Sequence, residues 1–368
     1  MRIALVHEFL TQLGGAERVL SAIHEIFPEA PVYTLVYDQE RTHGVFAGWD
    51  IRTSFLQSLP GSPKRYKWYL PLMPGATEAW DFSQYDLVLS DSSAFAKGVI
   101  TRPPTVQICY CHTPTRYIWQ EMEDYVSGIA YPGIIKAATK LYLKNILKPW
   151  DYKAAQRPDF FIANSQTVRA RIKKYYNRAA EVIYPPVDTN FFRPGLKKGD
   201  YFFTASRLEP YKNIELVIEA FNRLKLPLKV AGTGTQLLNL ESKILNPKIE
   251  FLGRVTDENL RELYQNAKAF VFPAYEDAGI MILESLACGT PVIGLAAGGT
   301  AEFVAEGRNG VLFAQQNTDA IIAAVQRFSE LHFDAGVVRA TALPFAKEIF
   351  QRRILEFIHT HAHRQNRH

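Results

Sequence analysis

The sequence is poor in cysteine and lacks long apolar runs. Its 368 residues contain only three cysteines, Cys109, Cys111 and Cys288. That number argues against a disulfide framework and fits a reducing compartment. No uncharged apolar stretch reaches the roughly 18 residues that a membrane-spanning helix needs. The opening MRIALVHEF has the pattern of a first strand and not of a signal peptide. We therefore expect a cytoplasmic protein.

Two signatures of bound cofactors are incomplete as well. The segment Cys109-Tyr110-Cys111-His112 has alternating thiols but no fourth ligand at a zinc-like spacing, which favours structural thiols beside a functional histidine. Gly14 and Gly15 follow the first apolar segment at a distance and lack the third glycine of G-x-G-x-x-G, which disfavours an NAD enzyme. A clear Asp-x-Asp metal motif is also missing. The sequence predicts neither a metal nor a redox cofactor.

The composition is that of an ordinary soluble protein. Hydrophobic residues make up 47% of the chain and charged residues 21%, and the net charge is +5. A chain of this length exceeds the roughly 250 to 300 residues at which single cores stop growing, so we expect two domains.

Acidic residues are absent from two stretches in the first half. Residues 51–77 alternate Arg and Lys with aromatic residues, and residues 125–150 place a lysine at every fourth position from Lys136 to Lys148. Such a surface suits acidic lipid headgroups or a diphosphate-linked lipid acceptor, and peripheral membrane contact follows from that interpretation. A solvated helix face with core aromatics explains the pattern equally well. Nucleic-acid binding is disfavoured by the small net charge.

Apolar strand patterns alternate with helical patterns along the whole chain, which predicts parallel sheets with helices on both faces. Prolines and glycines between Pro185 and Gly199 interrupt the alternation, and it restarts at Tyr201. We predict an α/β protein with two doubly wound, Rossmann-like domains, at residues 1–190 and 191–343, followed by a helical segment at residues 344–368. Predicted strands cover residues 3–6, 32–36, 86–90, 105–110, 160–163, 201–205, 228–231, 249–252, 269–272, 291–294 and 311–313. Predicted helices cover residues 16–26, 134–156, 167–176 and 214–224.

Glu276 and Glu284 flank a turn-like Asp-Ala-Gly and the start of an apolar helical run in EDAGIMILE. A helix beginning near Gly279 puts the first carboxylate in a loop and the second inside the helix. The free N–H groups at that helix start carry partial positive charge and attract anions. This arrangement suits a nucleotide sugar, with a diphosphate between two sets of hydroxyls. Two solvated glutamates beside an ordinary helix would give the same pattern.

Arg207 and Lys212 lie in a polar loop between a predicted strand and a predicted helix. Loops at the carboxyl ends of strands bind ligands in open α/β sheets. A guanidinium and an ammonium together suit a diphosphate that gains charge as it leaves. Either residue alone would more commonly be a plain surface cation.

The set of Arg207, Lys212, Glu276 and Glu284 resembles the donor site of the retaining glycosyltransferases of family 4, which have the two-domain GT-B fold. The likeness extends to Gly14-Gly15-Ala16-Glu17, His112, Asn164-Ser165 and Pro185-Pro186-Val187-Asp188. The opening VHEFLTQLGGAERVL and the stretch CHTPTRYIW resemble bacterial surface-polysaccharide enzymes, including O-antigen mannosyltransferases. The resemblance implies two domains that face each other across a cleft, an acceptor side in the first and a donor side in the second. It also implies that the last helix packs back on the first domain.

The resemblance further implies roles for individual residues in a metal-independent transfer. His112, Arg207, Lys212 and Glu276 would be the catalytic residues, with His112 and Glu276 on the sugar and the two cations on the diphosphate. Glu284 would hold the ribose, and the backbone at Gly253, Arg254 and Val255 would border the base. The remaining donor contacts would come from Gly14, Gly15, Ala278, Gly279, Ile280 and Met281. The family commonly has glycine and an aromatic where Asp277 and Ala278 stand, so sugar selectivity near Glu276 stays open.

Alternatives remain at several points. His112 alone would more often be a hydrogen-bonded structural residue, and Ser165 is best interpreted as a helix N-cap. A sugar-nucleotide 2-epimerase of the same fold, or a non-catalytic nucleotide-sugar-binding subunit, would use the same donor residues. GDP-mannose and UDP-glucose type donors are equal candidates, and the acceptor is a saccharide or a lipid-diphosphate-linked sugar. No other cofactor is expected.

Overall fold

The computed structural model describes residues 1–128, 132–196 and 198–362. The chain forms two compact units. The first comprises Met1–Tyr184 together with the chain from Gln351 onward, and the second comprises Pro185–Phe350. Part of the predicted last segment, residues 363–368, lies outside the described residues.

Each unit is built on one parallel sheet. In the described part of the chain, the first sheet has seven strands in the order β3-β2-β1-β4-β5-β6-β7, and the second has six in the order β10-β9-β8-β11-β12-β13. The strands are β1 Ile3–Leu10, β2 Val32–Tyr37, β3 Ile51–Thr53, β4 Leu87–Ser92, β5 Val106–Cys111, β6 Phe160–Ala163, β7 Glu181–Val182, β8 Tyr201–Ala205, β9 Leu228–Ala231, β10 Ile249–Gly253, β11 Ala267–Phe272, β12 Val292–Leu295 and β13 Gly310–Phe313. The predicted α/β class with two doubly wound sheets is confirmed.

Helices connect these strands. They are α1 Gly15–Ile26, α2 Met73–Glu78, α3 Arg116–Trp119, α4 Met122–Ser127, α5 Gly133–Tyr142, α6 Lys148–Ala154, α7 Gln166–Tyr176, α8 Ile214–Leu224, α9 Leu237–Glu241, α10 Asp257–Asn266, α11 Ile280–Ala287, α12 Gly298–Phe303, α13 Thr318–Glu330, α14 Ala335–Ala340 and α15 Lys347–Ala362. The central strands of both sheets are almost fully buried, as expected when helices cover both faces of a parallel sheet.

Two strands and one helix differ from the sequence prediction. β3 and β7 are short strands at the edges of the first sheet and carry too few apolar residues to give a strand pattern. The single helix predicted over residues 134–156 is interrupted by a π-helical turn at Leu143–Leu147 and ends at Ala154. That turn buries Leu143 and Leu147 while Ile146 stays exposed. Apolar periodicity alone does not report such a one-residue widening of the helix.

The helix α15 begins in the second unit and continues into the first. Two side chains of its later turns bond to the backbone of the first unit. Gln351 Nε2 donates to the carbonyl of Ala22 at 3.0 Å, and an Arg353 guanidinium nitrogen donates to the carbonyl of Val182 at 2.9 Å. The chain that leaves the first unit after Tyr184 therefore returns to it through this helix.

A buried ion pair holds the segment that follows β5. Lys97 and Asp151 are each about 1% exposed, and Lys97 Nζ lies 2.6 Å from Asp151 Oδ1. Asp151 also accepts hydrogen bonds from Thr115 at 2.7 Å, Trp119 at 2.7 Å and Tyr176 at 2.9 Å. With every lone pair used, the carboxylate ties together α3, α6 and α7. The segment after β5 therefore has a fixed conformation.

We expect Lys97→Met to lower the free energy of unfolding by about 3 to 5 kcal/mol, because the methionine leaves the Asp151 carboxylate buried without its cation. Urea denaturation followed by circular dichroism measures the change. Lys153→Met on the exposed face of α6 is the matched control, with a change within about 0.5 kcal/mol. Equal unfolding midpoints for the two variants would contradict this account of the ion pair.

Candidate functional site

In the second unit, the predicted donor residues lie in loops at the carboxyl ends of the strands. Arg207 and Lys212 follow β8, Gly253 ends β10, and Glu276 lies between β11 and α11. β8 and β11 are neighbours at the middle of the sheet. Because parallel strands all end at the same edge, these loops belong to one edge of the unit, where open α/β sheets bind ligands.

Lys212 and Glu276 form an ion pair between the two central loops. Lys212 Nζ contacts Glu276 Oε1, and both side chains are only partly exposed. Lys212 ends the short turn Pro210–Lys212, and Asn213 after it adopts the left-handed conformation that starts α8. The structure thus brings together two residues that are 64 positions apart in the sequence, and each neutralises the other's charge.

Arg207 joins this cluster through a tyrosine. One guanidinium nitrogen of Arg207 donates a hydrogen bond to the Tyr211 hydroxyl at 2.9 Å. The Lys212 ammonium lies 5.1 Å from the centre of the Tyr211 ring, within the range of a cation–π contact. Tyr211 was not predicted as a site residue. Its position between Pro210 and Lys212 in the same loop is the signal that could have indicated it.

The predicted start of the helix after Glu276 is confirmed. Gly279 adopts the left-handed conformation with φ of 70° and precedes Ile280, the first residue of α11. Ala278 and Gly279 are buried, and Ile280 and Met281 are half-buried. Glu276 stands in the loop and Glu284 inside the helix, as the spacing of the two carboxylates predicted.

A glycine pair that the sequence analysis missed supports the Glu276 loop. The backbone N–H of Gly299 donates to the Glu276 carbonyl at 2.8 Å. A Cβ at Gly298 would lie 2.2 Å from that same carbonyl oxygen, and one at Gly299 would lie 2.3 Å from the Ala278 carbonyl oxygen. No other residue type fits at such distances without moving the loop. The two adjacent glycines directly after the β12 pattern were the available signal.

Glu284 is nearly fully buried, at 2% exposure. The Tyr264 hydroxyl donates to Glu284 Oε2 at a long 3.4 Å. Burial, followed by the nearby Glu284 charge, raises the pKa of the Cys288 thiol to about 12. The structure therefore places this carboxylate in the interior of the unit, and its predicted contact with a ribose stays a prediction.

The three residues predicted to border the base lie at the end of β10. Gly253 is left-handed with φ of 64°, and its carbonyl accepts from the Gly232 N–H at 2.7 Å. Arg254 is exposed, and Val255 is half-buried. The hydrogen bond from Gly232 links Gly253 to the loop after β9. Because β9 lies beside β8 in the sheet, that loop neighbours the loop that carries Arg207.

In the first unit, His112 follows β5 and contacts a buried carboxylate. His112 Nε2 bonds to Asp91 Oδ1 at the end of β4, and His7 Nδ1 of β1 bonds to Asp91 Oδ2 at 2.8 Å. His7 Nε2 in turn lies 3.7 Å from Glu17 Oε1 of α1. The sequence analysis did not single out His7 or Asp91. Polar residues inside strand patterns were the signal that could have revealed them.

Gly14 and Gly15 lie at the start of α1, with Gly14 as the N-cap residue. A Cβ at Gly14 would lie 3.1 Å from Glu17 Oε2, so the glycine loop packs closely against this carboxylate. Ser165 is a helix cap, as predicted, because its hydroxyl accepts from the Val168 N–H at 3.1 Å. All three cysteines are free thiols.

The described residues contain neither a metal-binding cluster nor a membrane-spanning helix. Across residues 1–128, 132–196 and 198–362, no group of three or more His, Cys, Asp or Glu side chains is arranged to hold a metal ion. In the same residues, every helix is too short or too polar to cross a membrane.

Comparison with known families places both units. Residues 13–191 match the family model described as Glycosyltransferase Family 4, and residues 187–334 match the model described as Glycosyl transferases group 1. A D-inositol 3-phosphate glycosyltransferase of Mycobacterium avium is 30% identical over 184 residues, which cover 44% of this chain and 41% of the relative. The matched region therefore spans less than half the length of that curated relative.

Solved structures match nearly the whole chain. HepE of Anabaena, solved in complex with UDP and glucose, superposes with a TM-score of 0.70 at 20% identity, covering 98% of this chain and 100% of that one. The lipopolysaccharide outer core galactosyltransferase WaaB in its apo form gives a TM-score of 0.67 at 16% identity, over 98% and 99% of the two chains. These similarities support the fold. Together with the family matches, they show that residues 13–334 consist of two glycosyltransferase-family segments in the GT-B fold.

Proposed function

We propose that the protein is a retaining hexosyltransferase. It transfers a sugar from a nucleoside-diphosphate donor of the UDP-glucose or GDP-mannose type to a saccharide or lipid-linked acceptor in surface-polysaccharide synthesis. The observation that carries the proposal is the Lys212–Glu276 ion pair at the carboxyl edge of the second sheet, with Arg207 held beside it by Tyr211. When a donor enters this cluster, the ion pair separates. Glu276 then accepts hydrogen bonds from the sugar hydroxyls, and Lys212 contacts the diphosphate.

The chemistry needs cations rather than a general base. The bond between the anomeric carbon and the diphosphate oxygen breaks, and the acceptor hydroxyl oxygen bonds to the same face of that carbon. The departing diphosphate oxygen takes the proton of the acceptor hydroxyl. Arg207, Lys212 and the first N–H groups of α11 stabilise the charge that develops on the leaving diphosphate. Each charge-assisted hydrogen bond contributes about 1.5 to 3 kcal/mol, so two or three lower the barrier by several powers of ten in rate.

The residues of the site and the structural neighbours support the proposed donor. HepE has been solved in complex with UDP, with UDP and glucose, and with UDP-glucose. WaaB is described as a galactosyltransferase of the lipopolysaccharide outer core. Both support a hexose donor for this chain, and WaaB also supports a surface-glycan acceptor. GDP-mannose remains a candidate because the base is recognised mostly by backbone and shape, and because Asp277 and Ala278 depart from the family's usual residues and leave the sugar selectivity open.

Release of free nucleoside diphosphate tests the proposal. UDP- and GDP-sugars are supplied one at a time with EDTA present, with and without a lipid-diphosphate-linked sugar acceptor. We expect one donor to be consumed, and its consumption to be stimulated by the acceptor. Recovery of an epimerised donor would replace the proposal with a 2-epimerase, and recovery of the intact donor, bound but not consumed, would indicate a binding subunit.

We also propose that the first unit contacts an anionic membrane, where a lipid-linked acceptor would be anchored. Large apolar side chains are exposed within the two acid-free stretches, with Trp68 at 58%, Ile134 at 81% and Leu141 at 63%. Lys144 lies exposed between Leu141 and Ile146, which is itself exposed. Exposed apolar groups interleaved with lysines suit the boundary between headgroups and acyl chains. Each lysine near the surface contributes about 1 kcal/mol on an anionic bilayer.

We expect Leu141→Glu combined with Ile146→Glu to reduce sedimentation with phosphatidylglycerol vesicles by at least about tenfold, because the change removes apolar contact and adds two negative charges. Leu238→Glu, at an exposed site of the second unit, is the matched control and keeps wild-type binding. Equal loss in the control, or no loss in the double variant, would contradict the membrane contact at this surface.

A further inference from the structure

A chain of four titratable side chains, three of them buried and the fourth, His112, partly exposed, runs across the centre of the first sheet. In contact order they are Glu17, His7, Asp91 and His112. His7 and Asp91 are register partners on the neighbouring strands β1 and β4, and His112 follows β5 on the other side of β4. In the sheet, β2 and β3 lie on one side of β1, and β4 and β5 lie on its other side. The cluster therefore stands at the point where strand order reverses, the position at which doubly wound sheets bind ligands.

The hydrogen-bond donors and acceptors define the charge of His7. An ionised carboxylate only accepts hydrogen bonds, so the His7 and His112 nitrogens that face Asp91 both carry hydrogen. The second nitrogen of His7 faces the Glu17 carboxylate at 3.7 Å. An imidazole with a carboxylate on each nitrogen is stable as the cation. Burial lowers the pKa of His7, but its bonds to Asp91 and Glu17 outweigh burial and raise the pKa to about 10.

The same geometry defines the tautomer of His112. Its hydrogen toward Asp91 stays on Nε2, so Nδ1 offers a lone pair when the ring is neutral and an N–H when the ring is charged. Burial lowers the pKa of His112, whereas the Asp91 carboxylate raises it and gives the net direction. The charge of His7 opposes Asp91 in this respect. The pKa of His112 therefore depends on Asp91 and on His7, which His112 reaches through Asp91.

We propose that Asp91, His7 and Glu17 are positioning residues that fix the orientation and the charge of His112, so that its charged form donates a hydrogen bond to an oxygen of the bound substrate. The proposal rests on the transferase function proposed above. The other titratable groups around the cluster are Glu8 of β1, Tyr110 and Cys111 of β5, Lys97 after β4 and Arg353 of α15.

We call the contact chain of Glu17, His7, Asp91 and His112 the relay. The neighbouring titratable groups do not take over its role. The Glu8 carboxylate accepts from the backbone N–H groups of Ser93, Ala94 and Ala96 and from two serine hydroxyls. Its charge raises the pKa of His112, but by less than the Asp91 carboxylate does. Lys97 is paired with Asp151, and burial raises the pKa of the Tyr110 hydroxyl and of the Cys111 thiol well above their usual range. Asp91 is the carboxylate that faces both imidazoles.

Nuclear magnetic resonance titration of the histidine rings tests the relay without any substrate. We expect Asp91→Asn to lower the pKa of His112 by about 1 to 3 units, because it removes the adjacent negative charge. His7→Gln removes the opposing positive charge and should raise the pKa of His112. His332→Gln, at an exposed site of the second unit, is the control that leaves it unchanged. An unchanged His112 pKa in Asp91→Asn would overturn the proposal.

The pH dependence of sugar transfer provides a second readout. The alkaline limb of the rate profile should move to lower pH in Asp91→Asn and to higher pH in His7→Gln, opposite shifts that a purely structural role does not produce. If His7→Gln fails to fold, Glu17→Gln replaces it and should lower the pKa of His7 in the ring titration, with Glu25→Gln on the same helix as control. If the wild-type protein transfers no sugar, only the proposed function is contradicted. If the variants transfer sugar but the alkaline limbs of their rate profiles do not move, only the relay is contradicted.

Discussion

Glu276→Gln should abolish most sugar transfer while nucleoside-diphosphate binding is kept. The substitution preserves the shape of the side chain but removes the charge that pairs with Lys212 and accepts from sugar hydroxyls. Two lost charge-assisted hydrogen bonds, at about 1.5 to 3 kcal/mol each, correspond to a rate reduction of at least about 100-fold. Steady-state transfer assays give the rate, and calorimetry with free UDP or GDP gives the affinity.

Glu250→Gln is the matched control, because this glutamate is an exposed carboxylate of β10 in the same unit. It should keep both rate and affinity within about a factor of two, as surface substitutions usually do. Loss of diphosphate affinity in Glu276→Gln equal to its loss of transfer would contradict the assignment of this carboxylate to the sugar.

Lys212→Met should weaken both binding and transfer. In our proposal, the Lys212 ammonium leaves Glu276 and contacts the diphosphate. Its stabilisation of the diphosphate therefore grows as the leaving group gains negative charge. Removing one preorganised donor to a developing anion typically costs about 100- to 1000-fold in kcat. We expect a loss of that size in kcat, with a smaller rise in the Kd for free diphosphate.

Lys243→Met, at a half-buried lysine of the same unit that pairs with Glu215, is the control. It should leave kcat and Kd at wild-type values. A Lys212→Met enzyme that keeps its kcat and changes only the KM for the donor would show that the ammonium binds ground state and transition state alike. That result would remove Lys212 from the charge stabilisation of the leaving group.

The sequence predicted most of the fold because parallel strands buried on both faces give continuous apolar runs. Those between Tyr201 and Ala205 and between Phe160 and Ala163 match strands β8 and β6 residue for residue. The short edge strands β3 and β7 and the π-helical turn at Leu143–Leu147 depend on tertiary contacts, which leave no local period in the sequence.

The candidate site was only partly predictable. The order of loop, glycine and helix placed Glu276 before α11 and Glu284 within it, and the structure agrees. The pairing of Lys212 with Glu276 joins loops after two neighbouring strands, and strand order is a property of the folded sheet. The His7–Asp91 contact has the same origin, because β1 and β4 become neighbours only through the crossover. Burial of Glu284 likewise follows from packing against α10, through Tyr264.

The anomeric configuration of the transferred sugar tests the central claim most directly. With EDTA present, the protein is supplied with an acceptor and with a donor carrying ¹³C at the anomeric carbon, and the one-bond carbon–hydrogen coupling of the product is measured. Our account predicts a glycoside with the same anomeric configuration as the donor, formed without a divalent metal. An inverted product, or transfer that disappears when EDTA is added, would contradict it.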